Sequence, residues 1–552
     1  MTSRLLLGSG LMAALVLSLV LGLQLATPPA TSIPPERSAP APDRPNVVLV
    51  IMDDFSLELL STMRAGQQMR RDGAEFVNAF VVDSLCCPSR AATLTGLPPH
   101  LNGVRTNTAA GPGRPQGGYR AFRRHGDQAH TVNVALHRSG YRTGFVGKFM
   151  NEYEPVGGRL PLVPGWDDFE AVVSGGYREW DFDRTTREGD RLVLHHVPRP
   201  PAAASRERKD RGYATNVIAR RTLRLVHDYE AGDRPYFLYV APYGPHARVG
   251  GPAWPGDSHY PAALRDRPRP GQPNGSCGPR RCRSLTVRDL PGFGDSPRDN
   301  APTYVTPGSA SRPAASWRRS SHPMGRARAE RLLRDRARMV QSIDRMVARL
   351  RSAVGPDTYL VLTSDNGFHL GQHGLAGGKG TPYDSDVHVP LLVTGPGVVP
   401  GPRPVVTTNL DLAPTIEALA GAPASGARAG TSLVPSLRDP GASRASYAFV
   451  EHTHGPVVPG EPDADAGTGG RLDAIPSYVA VRSTRGLLVR LDMDQSWRGT
   501  RYAWELYDYR RLSWERRNVY ATHRDDPWVR DLRRRLLAWV DCAPSTCREL
   551  TR

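Results

Sequence analysis

The hydrophobic pattern of the chain begins, after an apolar N-terminus, with an uninterrupted run that ends in two acids. Residues 46–54 read Asn-Val-Val-Leu-Val-Ile-Met-Asp-Asp. A run of this length without polar alternation is typical of a central strand that is buried on both faces of a parallel sheet. Open α/β sheets bind their ligands at the carboxyl ends of such strands. The pattern therefore predicts a strand with functional residues at its end.

Farther along the chain, segments with helical periodicity alternate with short apolar runs. Each of three predicted helices precedes a predicted strand, and a further apolar run, residues 390–394, continues the sheet. This repetition predicts an α/β fold, a large doubly wound mixed sheet flanked by helices. The helices are expected at residues 131–139, 214–229 and 327–353, and the strands that follow them at 143–147, 236–240 and 359–363.

The pattern changes character at two places. Residues 252–326 are rich in Pro, Gly, Ser and Arg with little periodicity, which predicts a surface insertion. Beyond residue 438, residues 478–482 and 486–492 alternate like antiparallel strands, and residues 527–540 have the periodicity of an amphipathic helix. We therefore expect a catalytic domain over residues 46–438 and a smaller C-terminal α+β subdomain over residues 439–552.

The N-terminal segment has the composition of an export signal. Arg4 supplies a positive charge, and residues 5–26 are uncharged and apolar. The apolar stretch is also close to the length of a membrane span, so residues 1–26 are either a signal peptide or an uncleaved anchor. Residues 27–45 form a Pro/Ala-rich linker. Both readings place the rest of the chain outside the cytoplasm, secreted or held at the membrane by its N-terminus.

Four of the six cysteines form two closely spaced pairs, Cys277 with Cys282 and Cys542 with Cys547. Short-range pairs in an exported chain are typical of local disulfides that close loops. A zinc site built from the same four residues is the alternative, although four intervening residues is not the usual spacing of zinc ligands.

The formal net charge is +18, and among 72 basic residues only Lys148, Lys209 and Lys379 are lysines. The arginines are scattered, with no basic stripe interleaved with aromatic residues, so the charge does not indicate a nucleic-acid partner. A positive field does concentrate anionic substrates such as sulfated sugars. Because this chain otherwise uses arginine, a lysine suggests a position where a compact ammonium group is needed.

Two pairs of oxygen-bearing side chains follow predicted strands. Asp53 and Asp54 end the first strand, and Asp365 and Asn366 end a later one. Ends of parallel strands share one edge of the sheet, and carboxylate and amide oxygens suit Ca²⁺ or Mg²⁺. Taken singly, the first pair could equally be a helix cap and the second a turn.

The most specific motif lies at residues 86–96, which read Cys-Cys-Pro-Ser-Arg-Ala-Ala-Thr-Leu-Thr-Gly. Without the rest of the motif, Cys86 and Cys87 could simply be two buried thiols. The motif resembles the signature of the sulfatases, and the resemblance extends over residues 45–420. In that family the first cysteine is oxidised to formylglycine, whose hydrate attacks sulfate esters, so the resemblance assigns this role to Cys86 and none to Cys87.

Further motifs place the chain nearest the N-acetylglucosamine-6-sulfatase and heparan endosulfatase branch. They are Gly-Lys at 147–148 with Asn-Glu-Tyr at 151–153, and Thr-Ser-Asp-Asn-Gly-Phe-His at 363–369. The resemblance implies an alkaline-phosphatase-like fold, bound calcium, a sulfated carbohydrate or aryl sulfate as substrate, and a formylglycine-generating enzyme as partner during maturation.

The resemblance also implies roles for individual residues. Its metal ligands are Asp53, Asp54, Cys86 (as formylglycine), Asp365 and Asn366, and its catalytic residues are Cys86, Arg90, Lys148, His246 and Lys379. Lys148, His246 and Lys379 would also bind the substrate, together with Asn151. Many sulfatases have a histidine two residues after the first lysine, where this chain has Met150.

Two other functions fit the same residues. Phosphoryl groups share the shape and charge of sulfate, so a phosphonate monoester or phosphodiester hydrolase on the same scaffold is one alternative. A non-catalytic protein that binds acidic polysaccharides through its arginines, with Cys86 left unoxidised, is the other.

Overall fold

A computed structural model of the chain describes residues 44–108, 117–155, 159–296, 301–304, 312–313, 324–442, 446–454, 475–493, 502–511 and 514–552. The predicted signal or anchor at residues 1–26 and all but the end of the predicted linker lie outside these residues. Within them, no helix is both long enough and apolar enough to span a membrane.

Sixteen strands are described, and ten of them form one mixed sheet. They are β1 Asn46–Met52, β2 Ala74–Phe80, β3 Arg142–Lys148, β4 Asp168–Ser174, β5 Phe182–Glu188, β6 Arg191–Val197, β7 Tyr236–Ala241, β8 Thr303–Tyr304, β9 Arg312–Pro313, β10 Thr358–Ser364, β11 Leu391–Thr394, β12 Gly401–Thr408, β13 Tyr447–His452, β14 Tyr478–Ser483, β15 Gly486–Asp492 and β16 Tyr502–Asp508.

The order in the large sheet is β12-β2-β11-β10-β1-β7-β3-β4-β5-β6. Its centre is parallel: β1 pairs with β10 and β7, and β3 pairs with β7 and β4. The pairings of β11 with its two neighbours and of β5 with its two neighbours are antiparallel. The predicted doubly wound mixed sheet is confirmed.

Helices cover both faces of this sheet. The α-helices are α1 Arg64–Asp72, α2 Cys86–Thr95, α3 Pro99–Asn102, α4 Gly118–Arg124, α5 Val132–Arg138, α6 Arg206–Arg211, α7 Ala214–Glu230, α8 Arg326–Ala353, α9 Asp384–Val387, α10 Leu412–Leu419, α11 Val434–Arg438, α12 Tyr520–His523, α13 Pro527–Trp539 and α14 Pro544–Leu550. Short 3₁₀ helices lie at Leu57–Thr62, Asp127–Ala129, Gly176–Arg178, Leu264–Asp266, Cys282–Ser284, Val287–Asp289 and Asn409–Asp411.

The alternation of side chains along β1 assigns the helices to faces, because successive residues of a strand point to opposite sides. Val48 and Val50 pack in one cluster with apolar residues of α1, α7 and α8. Val47 and Leu49 pack in a second cluster with residues of α2, α5 and α10. All the helix and strand positions predicted between residues 46 and 394 are confirmed, with ends that differ by a few residues.

A second sheet of six strands has the order β13-β14-β15-β16-β8-β9. Its C-terminal strands are antiparallel, and α13 lies on one face through Leu532, Leu536 and Trp539. The predicted C-terminal strands and helix are confirmed. All the described residues fall in one compact unit, so the division between residues 438 and 439 stays a prediction.

The described part of the predicted insertion is anchored in the fold. Tyr260, Leu285 and Leu290 are buried in the cluster that includes α8, and β8 pairs with β16 of the second sheet. Both predicted disulfides, Cys277–Cys282 and Cys542–Cys547, are formed. The alternative of a zinc site is therefore wrong, because all four sulfur atoms are used in S–S bonds.

Candidate active site

The carboxyl ends of four parallel strands meet at the centre of the large sheet. β1 is followed by Asp53 and Asp54, β10 by Asp365 and Asn366, and Lys148 is the last residue of β3. His246 lies five residues after β7. The parallel registry of β10, β1, β7 and β3 brings these polar residues together at one edge, as the sequence predicted.

The chain turns sharply at Asp54, which has a left-handed backbone with φ of 58°. Such a conformation is costly for a residue with a Cβ and persists only where its surroundings hold it. The N–H of Asp54 donates to Asp365 Oδ1 at 3.1 Å, and the next N–H, of Phe55, donates to Ser364 Oγ at 3.0 Å. The guanidinium of Arg336 donates to the carbonyl of Asp54. These bonds hold the backbone of the turn that carries Asp54.

Cys86 is the first residue of α2, and all ten residues of this helix are buried. Its Sγ lies 3.4 Å from Asp53 Oδ1 and 3.8 Å from Asp54 Oδ1. The side-chain amide of Asn409 donates to the carbonyl and to the hydroxyl of Ser89, which anchors the first turn of the helix. The first cysteine of the motif therefore faces the acidic pair.

Cys87 points elsewhere. Its side chain belongs to the apolar cluster on the α2 face of the large sheet, and its N–H donates to Asn107 Oδ1 at 2.9 Å. The two adjacent cysteines thus have different surroundings, one beside the carboxylates and one in the core.

Two of the three lysines lie inside the acidic cluster. Lys148 Nζ donates to Asp53 Oδ2 at 2.8 Å, and Lys379 Nζ donates to Asp54 Oδ1 at 2.7 Å. Lys379 Nζ is also 2.9 Å from Cys86 Sγ. Both ammonium groups are buried. The third, Lys209, donates to the carbonyl of Ala202 and lies apart from this cluster.

The loop that carries Lys379 is held by a carboxylate outside the cluster. Asp386 Oδ2 accepts from the N–H of Thr381 at 3.0 Å, and both Asp386 oxygens contact His369 Nδ1. The backbones of His369 and Gly378 exchange two hydrogen bonds. His369 therefore has a structural contact here that positions the lysine loop.

Arg90 connects the helix to two strand ends. Its Nε donates to Asp365 Oδ2 at 2.9 Å, and its Nη1 donates to the carbonyl of Lys148 at 2.9 Å. Burial alone would lower the pKa of Arg90, but the Asp365 carboxylate raises it above its usual range. The guanidinium is thus a fixed cation in the centre of the site.

The charges of the cluster determine the protonation of Asp53. Burial raises the pKa of a carboxyl group, but Lys148, followed by His246, Arg90 and Lys379, outweighs burial and lowers the pKa of Asp53 to about 2. The same ion pair raises the pKa of Lys148, against the effect of its own burial. At neutral pH the pair is a carboxylate and an ammonium.

His246 presents one ring nitrogen to the site. Its Nδ1 is 2.6 Å from the carbonyl of Ala247, which assigns the Nδ1 proton, and its Nε2 is 3.4 Å from Asp54 Oδ2. The ring of Tyr177 packs on it with the centroids 4.6 Å apart, and Lys148 Nζ lies 4.9 Å from the centre of the same tyrosine ring. Tyr177 therefore contacts two of the predicted catalytic side chains.

Sequence reasoning did not identify Tyr177 or Arg336 at this site. A signal exists for Arg336: it falls on the buried stripe of α8, between Leu333 and Val340, where a charged residue needs a partner. Tyr177 follows Gly175 and Gly176 just after β4, and this turn alone gives no signal.

The predicted metal ligands have a donor set that fits a divalent cation. Donor atoms of Asp53, Asp54, Cys86 and His246 lie within 4.8 Å of one another. Among the residues that the structure describes, Asp54 Oδ2 and Asn366 Oδ1 are buried and accept no hydrogen bond. Buried acceptors without a donor are costly, and a hard cation such as Ca²⁺ or Mg²⁺ would satisfy them.

The structure brings most of the predicted site residues together. Asp365 is part of the cluster, with both oxygens engaged by backbone N–H groups and by Arg90. Asn151 is buried three residues beyond Lys148, and its carbonyl accepts the N–H of Tyr119. A contact between Asn151 and substrate stays a prediction.

Comparison with known proteins adds an independent finding. The family model described as Sulfatase matches residues 45–422. The human N-acetylglucosamine-6-sulfatase is 29% identical over 422 residues, which is 73% of this chain and 66% of that protein. The putative extracellular sulfatase Sulf-1 homolog of Caenorhabditis elegans is 28% identical over 70% of this chain. The chain spans 48% of that relative's length and 31% of the length of the Drosophila melanogaster counterpart.

Solved structures share the fold. One, a protein in complex with its substrate D-glucosamine-2-N,6-O-disulfate, superposes with a TM-score of 0.61 at 20% identity and covers 92% of this chain and 98% of its own. The putative sulfatase yidJ from Bacteroides fragilis superposes with a TM-score of 0.63 at 15% identity and covers 93% of this chain and 99% of its own.

Proposed function

Because the chain belongs to the sulfatase family, we propose that it hydrolyses sulfate monoesters of sulfated sugars outside the cytoplasm. The nucleophile is a formylglycine hydrate made from Cys86, and a divalent cation is bound beside it. One observation carries the proposal: Cys86 Sγ lies 3.4 Å from an Asp53 oxygen and 2.9 Å from the Lys379 ammonium. After oxidation of Cys86, the oxygen atoms of the modified residue would stand where the sulfur is.

Hydrolysis of a sulfate monoester requires neutralisation of the sulfuryl oxygens, a nucleophile and a proton for the leaving oxygen. When bound, the cation supplies positive charge at the sulfuryl oxygens, and formylglycine supplies the attacking hydroxyl. Asp53, Asp54, Asp365 and Asn366 would hold the cation, together with residue 86. Their oxygen donors favour Ca²⁺, with Mg²⁺ as the alternative.

The buried cations of the chain perform the neutralisation. Lys148, at the end of β3, and Lys379, in the loop before α9, flank Cys86, and their ammonium groups act as point charges on the bound sulfate. Arg90 holds Asp365 and the backbone of Lys148, so it fixes the geometry of the other groups. Such preorganised charges stabilise negative charge better than water does.

His246 is the proton donor for the leaving oxygen. Its Nδ1 proton is engaged by the carbonyl of Ala247, so Nε2 is the nitrogen that faces the site. In the imidazolium form Nε2 carries a proton that it transfers to the ester oxygen as the bond to sulfur breaks. Tyr177 packs against the ring and restricts its orientation.

Sulfated sugars are the substrate class that the similarities support best. Relatives are named N-acetylglucosamine-6-sulfatase, and a protein of the same fold was solved with a sulfated glucosamine as its substrate. Export through residues 1–26 gives the enzyme access to extracellular polysaccharides, and a formylglycine-generating enzyme is its partner during maturation.

A matched pair of variants tests the nucleophile. Cys86→Ala removes the only group that becomes the nucleophile, so kcat on an aryl sulfate should fall by at least about a thousandfold. Cys87→Ala changes a core contact and should leave kcat largely unchanged. The intact peptide that contains Cys86 should be lighter than its sequence mass by the difference between a thiol and an aldehyde.

Three results would contradict this function. An unshifted peptide mass would favour a non-catalytic polysaccharide-binding protein. Equal losses in the two cysteine variants would mean that the nucleophile is misassigned. Faster turnover of an aryl phosphodiester than of an aryl sulfate at equal concentration would favour a phosphodiester hydrolase on the same scaffold.

A further inference from the structure

A cavity of about 530 Å³ lies between α6, α7 and α8, apart from the residues of the candidate active site. It is lined by α6, by the first half of α7, by the second half of α8 and by the loop around residues 265–276. None of its lining residues belongs to the acidic cluster that contains Cys86. Its volume is in the range of cavities that hold small organic ligands.

The lining of this cavity is strongly basic. Seven arginines face three carboxylates, which gives the lining a net charge of +4. The arginines come from four separate segments, so the concentration of charge results from the fold and not from a single basic run. They are Arg206, Arg211, Arg220, Arg265, Arg269, Arg345 and Arg349.

Two of the three carboxylates accept hydrogen bonds from other segments of the cavity lining. Asp210 accepts the N–H of Leu264 and, at 3.0 Å, the N–H of Arg265. Asp266 accepts two hydrogen bonds from Arg345, at 2.8 and 2.7 Å. These bonds join α6 and α8 to the same loop. The Cys277–Cys282 disulfide closes the chain just beyond it.

The remaining arginines are available to a ligand. In the part of the chain that the structure describes, the guanidinium groups of Arg211, Arg265, Arg269 and Arg349 make no ion pair or hydrogen bond, and all four side chains are exposed. Partial burial, then the proximity of Arg211 and Arg349, lowers the pKa of Arg220. Like charges crowd at this cavity, and a bound anion would relieve their repulsion.

We propose that this cavity is a second, non-catalytic site that binds a sulfated segment of the polysaccharide substrate. The planar fork of a guanidinium matches paired oxygens of a sulfate group, and several arginines on rigid walls suit a chain with several sulfates. The proposal rests on the proposed function, because a chain held here raises the local concentration of sulfate esters near the active site.

A charge-matched pair of double variants tests the site. Arg211→Gln with Arg349→Gln removes two unpaired arginines of the cavity. Arg208→Gln with Arg331→Gln removes two exposed arginines from the same helices, α6 and α8, outside the cavity. Both pairs are made in full-length Cys86→Ala protein, and binding of a heparin-derived sulfated tetrasaccharide is measured by calorimetry over a range of salt concentrations.

We expect the cavity variant to bind the tetrasaccharide about tenfold or more weakly than the control variant, since each arginine lost removes a charged hydrogen bond to a sulfate group. Each arginine lost should reduce the slope of log Kd against log salt by about one. Equal affinities of the two variants would overturn the proposal. So would equally tight binding of the fully desulfated tetrasaccharide or of a single-stranded DNA of the same charge.

A second measurement separates this site from the proposed function. With Cys86 intact, the cavity variant should turn over a small aryl sulfate at the wild-type rate and a sulfated polysaccharide with a lower kcat/KM. If the wild-type protein does not turn over the aryl sulfate, the proposed function fails while the binding result still stands. A loss of aryl sulfate turnover in the cavity variant would contradict a non-catalytic role.

Discussion

At the scale of single residues, the site consists of buried carboxylates paired with buried cations. Asp53, Asp54 and Asp365 are each in contact with a buried cation, and each of the cations comes from a different element. Removing one partner of such a pair leaves an uncompensated buried charge, which costs several kcal/mol. The residues of the site are therefore needed by one another as well as by the reaction.

The three lysines provide a test of this charge pairing. Lys148→Arg keeps the charge but replaces a compact ammonium, buried 2.8 Å from Asp53 Oδ2, by a larger planar group. We expect kcat/KM on an aryl sulfate to fall about a hundredfold or more, which is typical of the loss of one preorganised electrostatic contact. Lys209→Arg, outside the cluster, is the matched control and should leave kcat/KM unchanged. Equal activity of the two variants would show that only the charge of Lys148 matters.

The sequence predicted the residues of the site whose chemistry is unusual for their position. Asp53 ends an apolar strand, and Lys148 is one of few lysines among many arginines, so both stand out in the sequence. Tyr177 could not be found in this way, because an aromatic residue in a turn is common and its contact with His246 depends on the packing of β4 beside β3. Arg336 was within reach, since it interrupts the apolar stripe of α8.

At the scale of elements, the site depends on how closely β3 and β7 approach each other. Gly147 in β3 has φ of 117°, and a Cβ at this position would lie 2.0 Å from the carbonyl oxygen of Ala241 in β7. Only glycine fits there. Because Lys148 is the next residue, the close approach of these strands also sets the position of its ammonium group.

Gly147→Ala should therefore affect both stability and activity. We expect the free energy of unfolding to fall by about 2–5 kcal/mol, from steric overlap together with the left-handed backbone, with a loss of turnover. Gly189→Ala is the control. Gly189 has φ of 58°, and no described residue other than its chain neighbours has an atom within 4 Å of where its Cβ would be. This substitution should cost only about 1–2 kcal/mol. Urea unfolding monitored by circular dichroism measures both, and equal costs would contradict the steric argument.

Strands that are buried on both faces could be predicted from the sequence, whereas half-exposed strands at the edge could not. β1, β7 and β10 lie at the centre of the sheet, are buried on both faces and were found as apolar runs. β5 and β6 lie at the edge, where half-exposed strands carry Arg, Asp, Glu and His, and no strand was predicted from these residues. β8 has two residues and exists through its pairing with β16 and β9, so no local pattern could indicate it.

At the scale of the whole molecule, a buried polar contact joins the segment after α2 to the second sheet. His100 Nδ1 in α3 lies 2.6 Å from Glu451 Oε1 in β13, and Trp539 in α13 donates to the same oxygen at 2.7 Å. Burial and Arg105 lower the pKa of His100, but the Glu451 carboxylate outweighs them and raises it above 6.5. Protonation of His100 therefore stabilises the contact between α3 and the second sheet.

A histidine whose pKa is raised by folding stabilises the protein fully below its unfolded pKa, and this contribution is lost as the pH rises through the folded pKa. We therefore expect the difference in free energy of unfolding between wild type and His100→Gln, about 1–3 kcal/mol near pH 6, to shrink toward pH 9. Urea titrations at the two pH values measure it. A difference that grows with pH would mean that His100 is neutral in the folded protein.

The burial of α2 also determines whether oxidation of Cys86 comes before or after folding. Every residue of this helix is buried in the folded protein, and Ala92 packs in one cluster with residues of β14, β15 and β16, which belong to the last hundred residues. An enzyme that oxidises Cys86 would need this segment extended and uncovered. The oxidation proposed for Cys86 must therefore precede the closing of the fold, and a chain that folds too early would be locked in an inactive form.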